Sequence, residues 1–300
     1  MDASKRVMIG TADGLRTASG DVLVDLDVTA IAPAVDGWWL LEGGRDLVRL
    51  RDGAVEPIDT VEGPVGRCLV ADGDDGVLIG TAEGHLLRLA SGAIEPVASF
   101  DAAEGREAWY TPWGGPPDTR SITRGVDGTL LANVHVGGIL RSSDAGATWA
   151  PTLDIDDDVH QVLAHPTEPG RVFAAAAVGL LWSNDAGGTW TRDTDGLHAT
   201  YARAVAVVGE TLLVSASEGH RGHMAALYRR PIEGGPFLRC TDGLPEWFDG
   251  NVDSHWLAGA DGLAAFGTPD GRAFASEDEG QTWELVAEQL PSIRAIAIEP

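Results

Sequence analysis

Short runs of alternating apolar and polar residues recur along the chain, and small turn-forming clusters separate them. Val7 to Thr11, Gly14 to Thr17 and Val22 to Leu26 are further strand-length runs rich in apolar residues. Alternation with period two predicts half-buried β-strands. Ser19-Gly20, Asp52-Gly53 and Ser91-Gly92 fall between such runs and predict two-residue hairpin turns. No apolar run reaches the ~18–20 residues that a membrane helix needs.

The strand rhythm is punctuated by a repeated octapeptide. Ser142-Ser143-Asp144-Ala145-Gly146-Ala147-Thr148-Trp149 returns as Ser183-Asn184-Asp185-Ala186-Gly187-Gly188-Thr189-Trp190, and again as Ser276-Glu277-Asp278-Glu279-Gly280-Gln281-Thr282-Trp283. The first two tryptophans are 41 residues apart and the next gap is 93, about two repeats. A worn copy, Glu233 to Phe237, sits midway with Phe237 in the tryptophan slot. Ser and Asp oxygens accept backbone N–H groups across a tight loop, and Gly permits positive φ. The Trp then covers the hairpin. The pattern resembles the Asp-box, or BNR, repeat of the sialidase-like β-propellers. That family includes sialidases, xyloglucan-degrading glucanases, the sortilin luminal domain and photosystem II assembly factors. The resemblance implies that the box is structural and lies on the face away from the ligand site.

A second register comes from short apolar strands ahead of the hairpins. Their starts are Thr29, Arg67, Arg120, His160, Arg203, His255 and Arg294. The mean step is about 44 residues, the length of a four-stranded propeller blade. The last strand, Ser292 to Glu299, has no hairpins after it, while the N-terminus begins with hairpins that lack a first strand. The fold expected is therefore all-β, a seven-bladed β-propeller with Asp-box hairpins. The C-terminal strand joins the N-terminal blade and closes the ring, making residues 1–300 one domain. Closure removes exposed sheet edges.

Charge narrows the partners. Lys and Arg number 21 against 46 Asp and Glu, a formal net charge of −25. Such a chain repels phosphate backbones, so nucleic acid is not expected. No apolar stretch follows Lys5 and Arg6, so no secretory signal is expected. Cys68 and Cys240 read as reduced thiols of a cytoplasmic protein rather than a disulfide framework.

Against this acidity, six of the seven inner-strand starts are basic. In a propeller these positions meet at one end of the central channel. Arg67, Arg120, His160, Arg203, His255 and Arg294 would then form an anion-binding funnel, since guanidinium suits carboxylate, phosphate or sulfate. The alternative is local: each Arg wedges between blades or pairs with an acid such as Asp118, Asp158 or Asp253. Two long loops, Phe100 to Thr119 and Thr241 to Val252, carry Trp109, Tyr110, Trp113, Trp247 and Phe248. These aromatics would stack on a ligand at the mouth or plug it. His135 ends a strand toward the same end, and His198, His220 and His223 are nearby candidates. No short His or Cys spacing marks a metal site, so no ligand set or cofactor is assigned; His85 and His165 read as turn residues.

A sialidase-like reaction implies a tyrosine nucleophile with a glutamate base and an acidic aspartate. Tyr201, Glu218 and Asp253 are the candidates for those catalytic roles. The seven-blade count and the missing N-terminal arginine motif depart from the sialidases. Three functions stay open. One is binding, with or without glycoside-hydrolase-like processing, of an anionic small molecule or glycan in the funnel. Another is a non-catalytic protein-interaction scaffold resembling the photosystem assembly factors. The third is a His-ligated metal enzyme.

Overall fold

A computed structural model describes residues 3–111 and 113–299. Met1, Asp2, Pro112 and Pro300 lie outside it, and with them both ends of the expected 1–300 domain. The described chain forms seven four-stranded antiparallel sheets, the blades of a seven-bladed β-propeller. Blade 1 orders its strands Ile293–Ile298, Val7–Thr11, Gly14–Thr17 and Val22–Val24. Blades 2 to 7 each follow the chain, from innermost to outermost strand. They begin at Val28–Ala34, Gly66–Ala71, Thr119–Arg124, Val159–Ala164, Tyr201–Val208 and Leu257–Ala260. Among the described residues helix is confined to Ala3–Arg6 and Ala98–Asp101, with 3-10 turns at Arg106–Ala108 and Ile155–Asp157. Among the described residues no helix is long and apolar enough to cross a membrane.

The C-terminal strand completes the blade that the N-terminus begins. Val7 pairs with Ile298, Ile9 with Ile296 and Thr11 with Ile293. Val7, Ile9, Ile293, Ile296 and Ile298 share one buried cluster, so the closing strand is fixed by packing as well as by its ladder.

The chain divides into two compact units. One gathers blades 1, 6 and 7, running to Thr29 and resuming for Ala177–Leu180 and from Asp193. The other comprises Ala30–Ala176 and Leu181–Arg192, most of blades 2 to 5. Within both, burial is highest in the second strand of a blade and falls toward the outermost. Val77–Thr81, Leu130–Val134 and Leu263–Gly267 are buried at every position, because sheets cover both faces. The outermost strands, such as Ala54–Thr60, are mainly exposed. Successive blades approach closely where the chain is small. A Cβ on Gly80 would stand 2.8 Å from the Thr119 carbonyl oxygen, and one on Gly267 would stand 2.7 Å from Ile293 Cδ1.

Each octapeptide joins the third and fourth strands of its blade, as do Ser19-Gly20, Asp52-Gly53 and Ser91-Gly92. Ser142 Oγ donates to Asp144 Oδ1 at 2.8 Å and accepts from the Gly146 N–H at 2.8 Å. Asp144 accepts from the Thr148 N–H at 2.9 Å and its hydroxyl at 2.6 Å. Ser183–Thr189 and Ser276–Thr282 repeat the network bond for bond. Trp149 and Trp283 are buried, each with an edge-on Phe, Phe100 at 5.1 Å and Phe266 at 4.9 Å. Phe237 of the worn copy is buried as well. Trp190 is only half-buried; its indole donates to Thr152 Oγ1 at 3.3 Å.

The structure departs from the sequence register in one inner strand. That of blade 7 starts at Leu257, not His255. The Trp256 N–H closes a turn onto the Asp253 carbonyl at 3.0 Å, which holds His255 at φ 65° and outside the extended region.

Candidate functional site

The basic register has a structural cause that the strand pattern did not reveal. Arg67 lies between Gly66, which pairs with Thr81, and Cys68, which pairs with Gly80. It is therefore the extra residue of a β-bulge. Arg120, His160 and Arg294 occupy the same position in blades 4, 5 and 1. In blade 6 the register slips between Ala202 and Val205, across Arg203. A bulge sets two residues against one and re-aims the extra side chain away from the pleat. Five blades thus start their innermost strand by turning a basic group out of the ladder.

Aspartates meet the arginines of blades 6, 3 and 1. Arg203 Nη1 lies 2.8 Å from Asp253 Oδ2, Arg67 Nε 3.5 Å from Asp118 Oδ1, and Arg294 Nη2 3.8 Å from Asp27 Oδ1. Each aspartate belongs to the loop that opens the next blade. The three pairs are unequal. The Arg203 side chain is 15% exposed, while Arg67 and Arg294 are 49% and 42% exposed. Burial opposes charge on Arg203, but Asp253 and Tyr201 outweigh it and raise its pKa. The looser pairs are worth about 0–1 kcal/mol each and leave their guanidiniums open to competing anions.

In blade 5 the bulged group is the imidazole of His160, and His135 of blade 4 joins it on one carboxylate. His135 Nε2 is 3.0 Å from Asp158 Oδ1, and His160 Nε2 is 3.6 Å from Asp158 Oδ2. Both histidines are buried. Asp158 ends the 3-10 turn Ile155–Asp157 at φ 49°, which directs its carboxyl between the rings. Burial opposes its charge. The two imidazoles more than offset this, and hold the carboxyl well below the usual range. His135 is anchored through its own N–H, which donates to the Asp118 carbonyl at 2.9 Å, and the Trp113 ring lies 5.0 Å from its imidazole. Trp113 is 69% exposed and Tyr110 45% exposed. Trp109 is instead drawn into the core beside Phe100, with Arg106 over its ring at 4.8 Å. Arg67, Asp118, His135, Asp158, His160 and Trp113 are linked by these contacts within the unit of blades 2 to 5.

The other candidates lie in the unit of blades 1, 6 and 7. The Tyr201 hydroxyl accepts from Arg203 Nη2 at 3.4 Å. Glu218 is exposed and bonds to His223 Nδ1 at 2.6 Å. Asp253 is held by Arg203. His198 stacks on Tyr228, with 2.6 Å between Nδ1 and the hydroxyl, and lies 5.0 Å from Trp247. Arg239 covers Trp247 at 4.2 Å. Burial leads the effects that push the His198 pKa down. His255 is half-buried in its turn. The thiols of Cys68 and Cys240 are free and buried, and burial pushes each up to about 12.

Asp27 and Arg239 escaped the sequence reading. Asp27 had a signal: Asp27-Val28-Thr29 shares its spacing with Asp118-Thr119-Arg120, Asp158-Val159-His160 and Asp253-Ser254-His255. Arg239 had none, because its aromatic partner comes from a different loop.

No protein-family model matches the sequence, and no curated protein matches it. Solved structures do. A protein from Lactobacillus plantarum superposes with TM-score 0.64 at 13% identity, over 97% of this chain and 98% of that one. The computationally designed protein Ika8 gives 0.59 at 16% identity, over 95% and 84%. YCF48, solved bound to a D1 peptide, gives 0.54 at 15% identity, over 88% and 79%. At these identities the likeness is one of fold.

Proposed function

We propose that this chain is a non-catalytic recognition propeller of the Asp-box type, which docks a carboxylate-bearing segment of another protein. The observation that carries the reading is Arg67. It is turned out of its strand by a bulge, half-exposed, and only loosely paired with Asp118. Its contact network leads through Asp118 and His135 to Trp113, and exposed Tyr110 stands on the same loop. Arginine beside exposed aromatics is the composition that protein interfaces favour. YCF48 with its D1 peptide is a precedent for peptide capture on this fold.

The glycosidase alternative gains little support from its candidate residues. Asp253 is taken up by the Arg203 guanidinium, 2.8 Å away. The Glu218 carboxylate bonds to His223, and the Tyr201 hydroxyl faces Arg203. An anionic small molecule or glycan remains the second reading, because the bulged basic groups would serve it equally well.

Fluorescence anisotropy separates these readings. A labelled Glu-rich peptide with a free C-terminal carboxylate should bind saturably, and its Gln-substituted, amidated form should not. Arg67→Ala and Trp113→Ala should each weaken binding about tenfold, the effect of losing ~1.4 kcal/mol. Binding that both variants leave unchanged would overturn the assignment. Competition by sialic or glucuronic acid would favour the second reading.

A further inference from the structure

His135, Asp158 and His160 bring one ligand atom each to within 4.8 Å of the others. Around a tetrahedral ion with bonds of about 2.0–2.2 Å, ligand atoms stand roughly 3.3–3.6 Å apart. The trio therefore needs little rearrangement to close on an ion. It is also held in place beforehand, with side chains 3%, 21% and 0% exposed for His135, Asp158 and His160. Nδ1 of His135 is buried without a hydrogen-bond partner among the described residues, so the ring's polar contact runs through Nε2, 3.0 Å from Asp158 Oδ1.

We propose that His135, Asp158 and His160 bind a divalent transition ion of the zinc class. Two imidazoles and one carboxylate suit Zn²⁺, Co²⁺, Ni²⁺ or Cu²⁺ and disfavour Ca²⁺ and Mg²⁺, which take oxygen ligands. Asp158 is the partly exposed member, so the remaining coordination position falls to water or to a donor atom from outside the chain. The inference stands independently of peptide docking, which is measured in the presence of a chelator.

The test uses metal-stripped full-length protein. Calorimetric titration with ZnCl₂ should show one saturable site. CoCl₂ should produce the visible bands of a low-coordinate ion, and CuCl₂ should quench Trp113, whose ring lies 5.0 Å from that of His135. His135→Asn and His160→Asn should each weaken uptake at least about tenfold, the lower bound for disturbing even an outer-shell partner. His223→Ala, on the exposed hairpin with Glu218, should leave uptake unchanged. Trp113→Phe should keep the zinc isotherm while losing its share of the copper quenching. No saturable zinc heat with wild-type protein would overturn the proposal, as would uptake that follows His223 rather than His135 and His160.

Discussion

At the scale of single residues, the octapeptide works through one carboxylate accepting several short hydrogen bonds. These bonds, led by the Thr148 hydroxyl on Asp144 and the Ser183 hydroxyl on Asp185, lower both carboxyls to about 2. Asp278 is lowered too, with burial as an opposing effect and the Thr282 N–H as the main favourable one. Folded values below the ordinary 3.8 mean that the unfolded chain binds these protons first as pH falls. The stabilisation is complete above about pH 4 and is lost toward about pH 2. Asp144→Asn with Asp185→Asn should therefore flatten acid unfolding in that window. An unchanged acid limb in urea titrations across pH would show that the hydroxyls serve only as spacers. The tryptophans divide by burial. Trp149→Ala should cost about 3–5 kcal/mol. Trp190→Ala should cost clearly less, because its ring is half-buried. Equal shifts in chemical denaturation would contradict that ranking.

Elements were more legible than the chemistry they carry. Val7–Thr11 and Gly14–Thr17 fall where the strand rhythm put them, and all three two-residue turns close hairpins. Hydrophobic periodicity encodes strand faces directly, so such features survive reading one residue at a time. A bulge does not. Arg67 reads as an ordinary strand residue, and only its pairing shows that it stands outside the ladder. The pairing of Arg67, Arg203 and Arg294 with the next blade's aspartate is likewise hidden, since Arg67 and Asp118 are 51 positions apart. His255 misled because its slot looked right while a local turn held the backbone left-handed. The closing strand offers the clearest element-scale test. Deleting residues 290–300 would strip Ile293, Ile296 and Ile298 from their cluster and expose the edge of Val7–Thr11. The truncation should aggregate or lose cooperative unfolding. A soluble, sharply melting product in size-exclusion and thermal scans would mean that the blade is complete without its C-terminal strand.

For the molecule as a whole, the decisive quantity is a net charge of −25 carried by 46 acidic and 21 basic side chains. Two electrostatic effects oppose each other as salt is added. Screening weakens the exposed ion pairs, such as Arg6–Asp261 and Arg67–Asp118, but each is worth only about 0–1 kcal/mol. Screening also relieves the mutual repulsion of some two dozen uncompensated negative charges, and that repulsion acts across the surface in the folded state. The second effect should win, because it sums over many charges while the pairs are few and already partly hydrated. The melting temperature is therefore expected to rise as ionic strength increases from about 0.01 M to about 0.15 M, where the screening length falls from about 30 Å to about 8 Å. The proposed docking of a carboxylate-bearing peptide at Arg67 would depend on a local basic group in an otherwise repulsive field. Salt weakens that contact but also relieves the long-range repulsion, so affinity should change less than the on-rate does. Stopped-flow association should become faster with salt, the reverse of a ligand steered by opposite charge. A falling melting temperature, or an on-rate that drops with salt, would show that basic groups rather than net charge dominate the field a partner meets.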